Sequence, residues 1–202
     1  GTDFELVNPD SDGRYKELAQ DYQRLMGRQG VTPEVARQRM RSDTTLIGAM
    51  LLRRGDADAM LCGLVGQHDQ HLAHVRDIIG LKPKAHCFAA MNLLLLPRHT
   101  LFICDTYVNE DPDPGLLADI ALMAAEEVRR FGLVPKVALL SHSNFGSKKS
   151  ESAQKMSRAL EIITARNPQL EVDGEMHGDA ALNEAIRARI YPEGRLRGEA
   201  NL

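Results

Sequence analysis

The sequence predicts an α/β fold with a mainly parallel sheet flanked by helices. Short apolar runs alternate along the chain with longer segments whose apolar residues recur at helical spacing. Most of the helical segments end at a glycine, which is a common helix stop signal. In addition, an apolar run at residues 137–140 leads through a Ser- and Gly-containing loop directly into a helical segment, as in many α/β proteins.

Helices are predicted for the first quarter of the chain. A polar leading loop ends at Gly13 and is followed by an amphipathic segment. Thr32 and Pro33 have the residue types of a helix cap and a first helical residue, and Ser42-Asp43 can cap the next helix, which ends at Gly55. The predicted helices span residues 14–28, 33–41 and 44–54.

Strands and helices then alternate. A short apolar run after an acidic turn predicts a buried parallel strand at residues 59–64. Two further apolar runs, 87–96 and 100–104, are separated by Pro97-Arg98-His99 in the manner of a hairpin. The remaining predicted elements are helices at 69–79, 113–131, 150–167 and 180–189 and strands at 137–140 and 170–172, with residues 192–202 leading toward a further strand.

Composition limits the class of protein. A length of 202 residues suits one domain, or one domain and part of another, and 43% hydrophobic residues argue against disorder. A net charge of −3 does not indicate a nucleic-acid or membrane surface, and no apolar run approaches the roughly 20 residues of a membrane span. Cys62, Cys87 and Cys104 form no C-x-x-C pattern, so we expect reduced thiols and a cytoplasmic protein.

The loop at residues 141–147 is the best candidate ligand site in the sequence. A strand, a small polar loop and a helix start can present backbone N–H groups and a helix dipole to an anion. Ordinary turns and helix caps need the same residue types, so an ordinary connection is the alternative. The candidate ligand-binding residues here are Ser141, Ser143, Asn144, Gly146, Ser147 and Lys148.

Polar residues elsewhere add further candidates. His71 and His74, with His68 and Asp69, have metal-ligand types, but a polar helix start facing a ligand is the preferred interpretation, with Arg76 able to reach an anion. Asp105 and Asp173 follow or end predicted strands, where acidic residues often line a site; a turn cap is the alternative for Asp105. A Ser-His-Asp hydrolase is disfavoured because G-x-S-x-G is absent and Ser141 and His142 are adjacent.

Four ordered motifs resemble the phosphate acetyl/butyryl transferase family. They are G-D-A-D-A-M-L-C-G (55–63), L-F-I-C-D-T-Y-V-N-E-D-P (101–112), P-K-V-A-L-L-S-H-S-N-F-G-S (135–147) and L-E-V-D-G-E-M-H-G-D-A-A-L (170–182). The resemblance implies a phosphate acetyltransferase-like fold, similar to that of isocitrate and isopropylmalate dehydrogenases. It further implies that residues 1–43 are a leading loop and linker helices of a first subdomain, and that residues 44–202 are most of a second one, with the family's C-terminal Ser-Arg-Gly segment missing.

Three segments resemble, more narrowly, the transferase-like C-terminal domain of large bacterial NADP-dependent malic enzymes. They are H-V-R-D-I-I-G-L (74–81), S-H-S-N-F-G-S (141–147) and D-G-E-M-H (173–177). That resemblance implies a non-catalytic domain that senses acetyl-CoA or an acyl phosphate and takes part in a homo-oligomer. It implies an N-terminal malic enzyme domain in the same protein, which would hold NADP and Mg²⁺ or Mn²⁺; no cofactor or metal is expected in this chain, and no nucleic acid or membrane partner.

The departures from the transferase pattern favour the sensor interpretation. The transferases have S-T-x-D-x-L-R-P where this chain has residues 67–74, so Ala73 stands at their arginine and His74 at their proline. An arginine suits phosphate recognition through paired hydrogen bonds, which alanine cannot make. Phe145 stands where the family has Lys or Gly. An active phosphate acetyltransferase and a purely structural oligomerisation domain remain as alternatives.

Overall fold

The computed structural model describes residues 5–202, and the chain divides into two compact units with the boundary between Pro83 and Lys84. The first unit contains helices only, and the second contains four strands and four helices among its described elements. The predicted α/β class is therefore confirmed. The predicted subdomain boundary after residue 43 stays a prediction.

The first unit is a helical bundle. Its helices are α1 (Tyr15–Met26), α2 (Pro33–Ser42), α3 (Thr44–Arg54) and α4 (His68–His74), and a π-helical turn, Val75–Ile79, continues from α4. One apolar cluster joins α1, α2, α3 and the π-helical turn, because each of them places apolar residues inward, whereas α4 contributes no buried residue. Its buried members are Leu18, Ala19, Tyr22, Met26, Val31, Ala36, Met40, Leu46, Ile47, Ala49, Met50 and Ile78.

The helix boundaries of this unit follow the sequence signals. Thr32 caps α2 by accepting from Val35 N–H at 3.3 Å, and Asp43 caps α3 by accepting from Leu46 N–H at 3.0 Å. Gly55 closes α3 in the left-handed conformation at φ 81°, which glycine adopts without steric cost. These three helix predictions are confirmed.

The strand predicted at residues 59–64 is wrong, because the structure has an irregular segment there. Leu61 and Leu64 are almost fully exposed, so the apolar run is not buried within the unit. A strand needs a hydrogen-bonded neighbour, and among the described residues this segment has none. An apolar run in the sequence carries no information about whether such a neighbour exists.

The second unit contains two strand pairs. β1 (Met91–Leu95) and β2 (Thr100–Cys104) form the predicted hairpin, with Leu93 opposite Phe102. β3 (Lys136–Leu140) and β4 (Glu171–Met176) are parallel, with Val137 opposite Val172. The helices are α5 (Pro114–Arg130), α6 (Glu151–Arg166), α7 (Gly178–Leu182) and α8 (Glu184–Ile190). A mainly parallel sheet is thus not confirmed, because one of the two described pairs is antiparallel.

The last two residues lie between the strand pairs. Phe102 N–H of β2 donates to Asn201 C=O at 2.8 Å. On the other side, Leu202 N–H donates to Lys136 C=O at 3.1 Å, and Ala138 N–H of β3 donates to Leu202 C=O at 2.8 Å. Asn201 and Leu202 therefore link β2 to β3 through backbone hydrogen bonds, although each sheet itself has two strands.

Alanine-rich helix faces make the core of the second unit. α5 packs against α6, and small side chains let the helices approach each other and the β3–β4 pair closely. The buried residues of this cluster are Ala118, Ala121, Ala125, Val137, Leu139, Ala159, Ile163, Leu170 and Val172. A second cluster joins β4, α7 and the C-terminal segment. Its buried members are Met176, Ala180, Ala181, Leu196 and Ala200.

Arg187 holds this second cluster together, and no carboxylate of residues 5–202 pairs with it. Its guanidinium group is 2% exposed and donates to the carbonyls of Ala180 (2.8 Å), Leu196 (3.0 Å) and Gly198 (2.6 Å). A buried charge is tolerated only when its hydrogen bonds are satisfied. Arg187 therefore ties α7 and α8 to the C-terminal segment.

Candidate functional site

The 141–147 loop connects β3 to α6 and wraps around a buried carboxylate, Glu175 of β4. Ser143, which is fully buried, donates from Oγ to Glu175 Oε1 at 2.8 Å, and Gly146 N–H donates to the same oxygen at 2.7 Å. Ser157 of α6 donates to Oε2 at 2.7 Å. The side chain of Glu175 is thus the centre of the loop, although the sequence analysis did not select it.

The backbone N–H groups of the loop are engaged within the second unit. Phe145 N–H donates to Glu175 C=O at 2.7 Å, Asn144 N–H to Ser147 Oγ at 2.9 Å, and Lys148 N–H to Ser143 Oγ at 3.0 Å. These three N–H groups therefore already have acceptors within the chain. The part of the loop residues in ligand binding stays a prediction.

Polar side chains at the rim of the loop form two contacts that involve histidine. Asn144 Nδ2 lies 3.0 Å from His177 Nδ1, and His142 Nε2 lies 3.0 Å from Ser150 Oγ. Ser150 is also the N-cap of α6, since its Oγ accepts from Ala153 N–H at 3.3 Å. The exposed face of the loop thus carries imidazole and amide groups, next to the exposed side chain of Lys148.

The environment of Glu175 keeps it ionised. Burial alone would raise its pKa, but the hydrogen bonds from Gly146 N–H, Ser157 and Ser143 together outweigh burial and hold the pKa below its ordinary value. Because the folded-state pKa is lowered, this carboxylate stabilises the fold above its unfolded pKa, and that stabilisation is lost as the pH falls through the folded pKa.

Asp173 also lies on β4 but serves a different segment. It is 4% exposed, and its Oδ2 accepts from Arg195 N–H at 2.5 Å while Oδ1 accepts from Gly174 N–H at 2.9 Å. These bonds hold the turn at residues 194–196 against β4. The structure gives Asp173 a clear structural role, and its predicted role in ligand binding is untested.

Asp105 directly follows β2, at the end of the hairpin remote from its turn. Its Oδ1 accepts from Ala90 N–H at 2.7 Å, and its Oδ2 accepts from the backbone N–H (2.7 Å) and side-chain amide (2.6 Å) of Asn109. These hydrogen bonds are of the type expected from the alternative interpretation, in which Asp105 caps a turn. Both oxygens are engaged, and Asp105 and Asp173 hold different parts of the second unit.

An apolar cavity of about 220 Å³ lies between β2 and β3. Its walls are the residues of these strands, with Leu117 and Ile120 of α5, Met156 of α6 and Leu202 at the C-terminal segment. Asp105 is the charged residue at its lining. The cavity thus offers apolar contact, and its one carboxylate is already hydrogen-bonded.

The predicted histidines belong to the first unit, where both bind α3 or its cap. His71 Nδ1 lies 2.8 Å from Thr45 Oγ1, and His74 Nε2 lies 2.7 Å from Asp43 Oδ2. Arg76 is exposed and pairs with Asp77 at 2.9 Å, which raises the pKa of its guanidinium group. His71 Nε2 is buried and has no hydrogen-bond partner among the described residues.

Metal binding receives no support from the described part of the chain. Within residues 5–202, no group of three or more His, Cys, Asp or Glu side chains has a geometry that could hold a metal ion.

No helix of the same residues is long and apolar enough to cross a membrane.

The cysteines are poor nucleophiles where the structure buries them. Burial, with the charge of Asp105, raises the pKa of Cys104 to about 11. Burial also raises the pKa of Cys87, with Asp119 and Asp105 adding to the effect. Since the thiolate is the reactive form, the raised pKa values lower the reactivity of both thiols at neutral pH.

Comparison with known proteins places the chain in a family. The family model described as "Phosphate acetyl/butaryl transferase" matches residues 1–202, so the chain belongs to this family of acyltransferases and related domains. Its relatives include the "NADP-dependent malic enzyme" of Escherichia coli K12, with 53% identity over the whole chain and 27% of that protein.

Transferases of the family are more distant relatives. The phosphate acetyltransferase of Helicobacter pylori J99 is 29% identical over 98% of this chain and 38% of its own length. The crystal structure of a phosphotransacetylase from Streptococcus pyogenes superimposes with a TM-score of 0.86 at 30% identity, covering 99% of this chain and 61% of that one. The chain therefore spans about a quarter of the malic enzyme it matches and less than two thirds of the transferase structure.

Proposed function

We propose that this chain is the C-terminal regulatory domain of a cytoplasmic NADP-dependent malic enzyme, in which it senses acetyl-CoA or an acyl phosphate. One observation carries the proposal: the chain is 53% identical to a malic enzyme over its full length, but it has Ala73 where the transferase pattern has an arginine. The complete domain would adopt the isocitrate and isopropylmalate dehydrogenase-like arrangement.

The neighbourhood of Ala73 supports a non-catalytic role. The next residue, His74, binds the Asp43 carboxylate that caps α3, and His71 binds Thr45 on the same helix. Side chains that stand in the position of a phosphate-binding segment thus stabilise the helix packing of the first unit. Phe145, at the family's Lys or Gly position, stacks on Tyr191 with ring centroids 5.1 Å apart and adds no positive charge to the loop.

Two features support ligand sensing and assembly. Lys148 and His142 give the exposed rim of the 141–147 loop groups that can bind a phosphate or a carboxylate. Leu61, Leu64 and Val65 are exposed, and clustered apolar side chains of this kind commonly contact another protein surface, here a second copy in a homo-oligomer.

The parent reaction would be the oxidative decarboxylation of malate to pyruvate. Its NADP and Mg²⁺ or Mn²⁺ would be held by the N-terminal malic enzyme domain of the same protein, and no residue of this chain is assigned to them. A ligand at the 141–147 loop alters that reaction only if it binds the more active and the less active forms with unequal affinity.

A charge reversal in the full-length protein tests the proposal. We expect acetyl-CoA or acetyl phosphate to raise the melting temperature and to change the rate of malate-dependent NADP reduction. Lys148→Glu should raise the ligand concentration needed for half of each effect by roughly tenfold, because one favourable contact with the anion becomes repulsive. Lys16→Glu, an exposed reversal on α1, should leave both unchanged.

A purely structural domain would give a different result in the same experiment. No stabilisation by any of the ligands, with unchanged NADP reduction, would contradict sensing and favour a purely structural oligomerisation domain. An equal ligand response in Lys148→Glu would contradict the assignment of the loop.

An active phosphate acetyltransferase is the second candidate, favoured by the TM-score of 0.86 with a phosphotransacetylase. In that reaction the CoA thiolate attacks the acetyl carbonyl of acetyl phosphate, the carbon–oxygen bond to phosphate breaks, and inorganic phosphate leaves. Thioester formation from acetyl phosphate and CoA, followed by absorbance with the full-length protein, would establish this activity. We expect none above the uncatalysed rate.

A further inference from the structure

Glu175 is a buried carboxylate that the proposed function does not use. It is 2% exposed, and among the described residues no lysine or arginine forms an ion pair with it. Ser143 Oγ, Gly146 N–H and Ser157 Oγ all donate to its two oxygens at 2.7 to 2.8 Å. A buried negative charge that is satisfied by neutral donors alone is the arrangement found where proteins bind anions.

The backbone of the loop is shaped around this carboxylate. Phe145 and Gly146 both have positive φ values, 47° and 80°, so the chain turns sharply there. As a result, two successive N–H groups point at one residue: Phe145 N–H reaches the carbonyl of Glu175, and Gly146 N–H reaches its carboxylate. Of these two amides, Gly146 N–H donates to the anion itself, whereas Phe145 N–H fixes the loop to the backbone of β4.

We propose that the 141–147 loop is an anion-binding cradle whose anion is the chain's own Glu175 carboxylate, so that Glu175 positions the loop and external ligands meet only its outward side chains. This concerns the same loop as the proposed function, and it rests on that proposal only for the identity of the external ligand. The lowered pKa of Glu175 agrees with it, since the donors favour the charged form over the neutral one.

Chemical rescue in the full-length protein tests the proposal. Glu175→Ala leaves the donors of Ser143, Gly146 and Ser157 without their acceptor, and we expect the melting temperature to fall by roughly 5 to 15 °C. Formate, a small carboxylate, should bind among these donors and recover about half of the loss or more. The wild-type protein should not respond, because its own carboxylate occupies the site.

Two controls separate a built anion site from general salt effects. Sodium chloride at equal ionic strength should not rescue Glu175→Ala. Glu171→Ala removes another carboxylate of β4, which accepts from Arg197 N–H at 2.5 Å and does not contact the loop. Formate should not rescue this variant. Rescue of both variants alike, or of neither, would overturn the proposal.

A milder variant covers the case in which Glu175→Ala does not fold. Ser157→Ala removes one donor, so the folded-state pKa of Glu175 should rise and its stabilisation at neutral pH should shrink. The difference in stability from wild type should therefore be largest at pH 7 and should decrease as the pH falls through the folded-state pKa of Glu175, first in the variant and then in wild type. A difference that does not change with pH would contradict an ionised Glu175 at the centre of the loop.

The outcomes for this proposal and for the proposed function are distinct. Formate rescue is measured without acetyl-CoA, so a protein that senses no metabolite can still show it. Conversely, the wild-type protein could respond to acetyl-CoA through Lys148 while formate fails to rescue Glu175→Ala. That result would support the proposed function and contradict the proposal of an internal anion.

Discussion

Replacing Arg187 by methionine should destabilise the second unit severely. The substitution keeps most of the apolar volume of the side chain but removes the donors that reach the carbonyls of Ala180, Leu196 and Gly198 at 2.6 to 3.0 Å. Each hydrogen bond to a charged group contributes about 1.5–3 kcal/mol, and these bonds are not additive because they share one side chain.

The expected loss follows from two opposing effects. The carbonyls lose their donors in a site that is 2% exposed, which costs free energy, whereas removal of a buried charge without a counter-ion returns part of it. We therefore expect the free energy of unfolding to fall by about 3–5 kcal/mol, toward the upper range of single substitutions. This corresponds to a decrease of roughly 6–20 °C in melting temperature for a chain of this size.

Chemical denaturation, followed by circular dichroism, measures this loss directly. Arg189→Met is the matched control, because Arg189 lies on the same helix, α8, and is exposed. The control should change stability by less than about 0.5 kcal/mol. If Arg187→Met and Arg189→Met lose the same small amount, the inference that Arg187 ties α7, α8 and the C-terminal segment together is refuted.

Three further predictions concern reactivity, backbone space and capping. At pH 8, iodoacetamide should alkylate exposed Cys62 but leave Cys104 largely unmodified, because a pKa of about 11 keeps it in the thiol form; equal labelling by mass spectrometry would contradict the burial. Gly174→Ala should cost at least about 3 kcal/mol, since a Cβ would lie 2.7 Å from Leu139 C=O at φ 147°, and unchanged thermal unfolding would refute this close approach. Asn183→Ala should cost about 1 kcal/mol by removing the cap of α8, which urea titration can detect.

Local signals in the sequence were sufficient for most of the helices. Thr32 and Asp43 cap helices as their residue types suggest, and Gly55 ends α3. These signals act within a few residues, so the sequence carries them completely. The four strands lie close to the predicted apolar runs, and β1 and β2 form the predicted hairpin.

The apolar run at residues 59–64 shows where local signals stop being sufficient. Its composition is that of a buried strand, but Leu61 and Leu64 are exposed and the segment has no strand neighbour among the described residues. Strand formation depends on hydrogen bonds to residues distant in the sequence, and one run alone does not specify them.

The sequence by itself determined the family, the α/β class and the position of the polar loop after β3. The tertiary structure decided what the loop contains. Glu175 comes 28 or more residues after the loop, and only the parallel pairing of β3 with β4 brings its carboxylate to Ser143 and Gly146. Because these contacts join distant parts of the chain, the loop looks like an open anion site in the sequence and proves, once folded, to surround a carboxylate of its own.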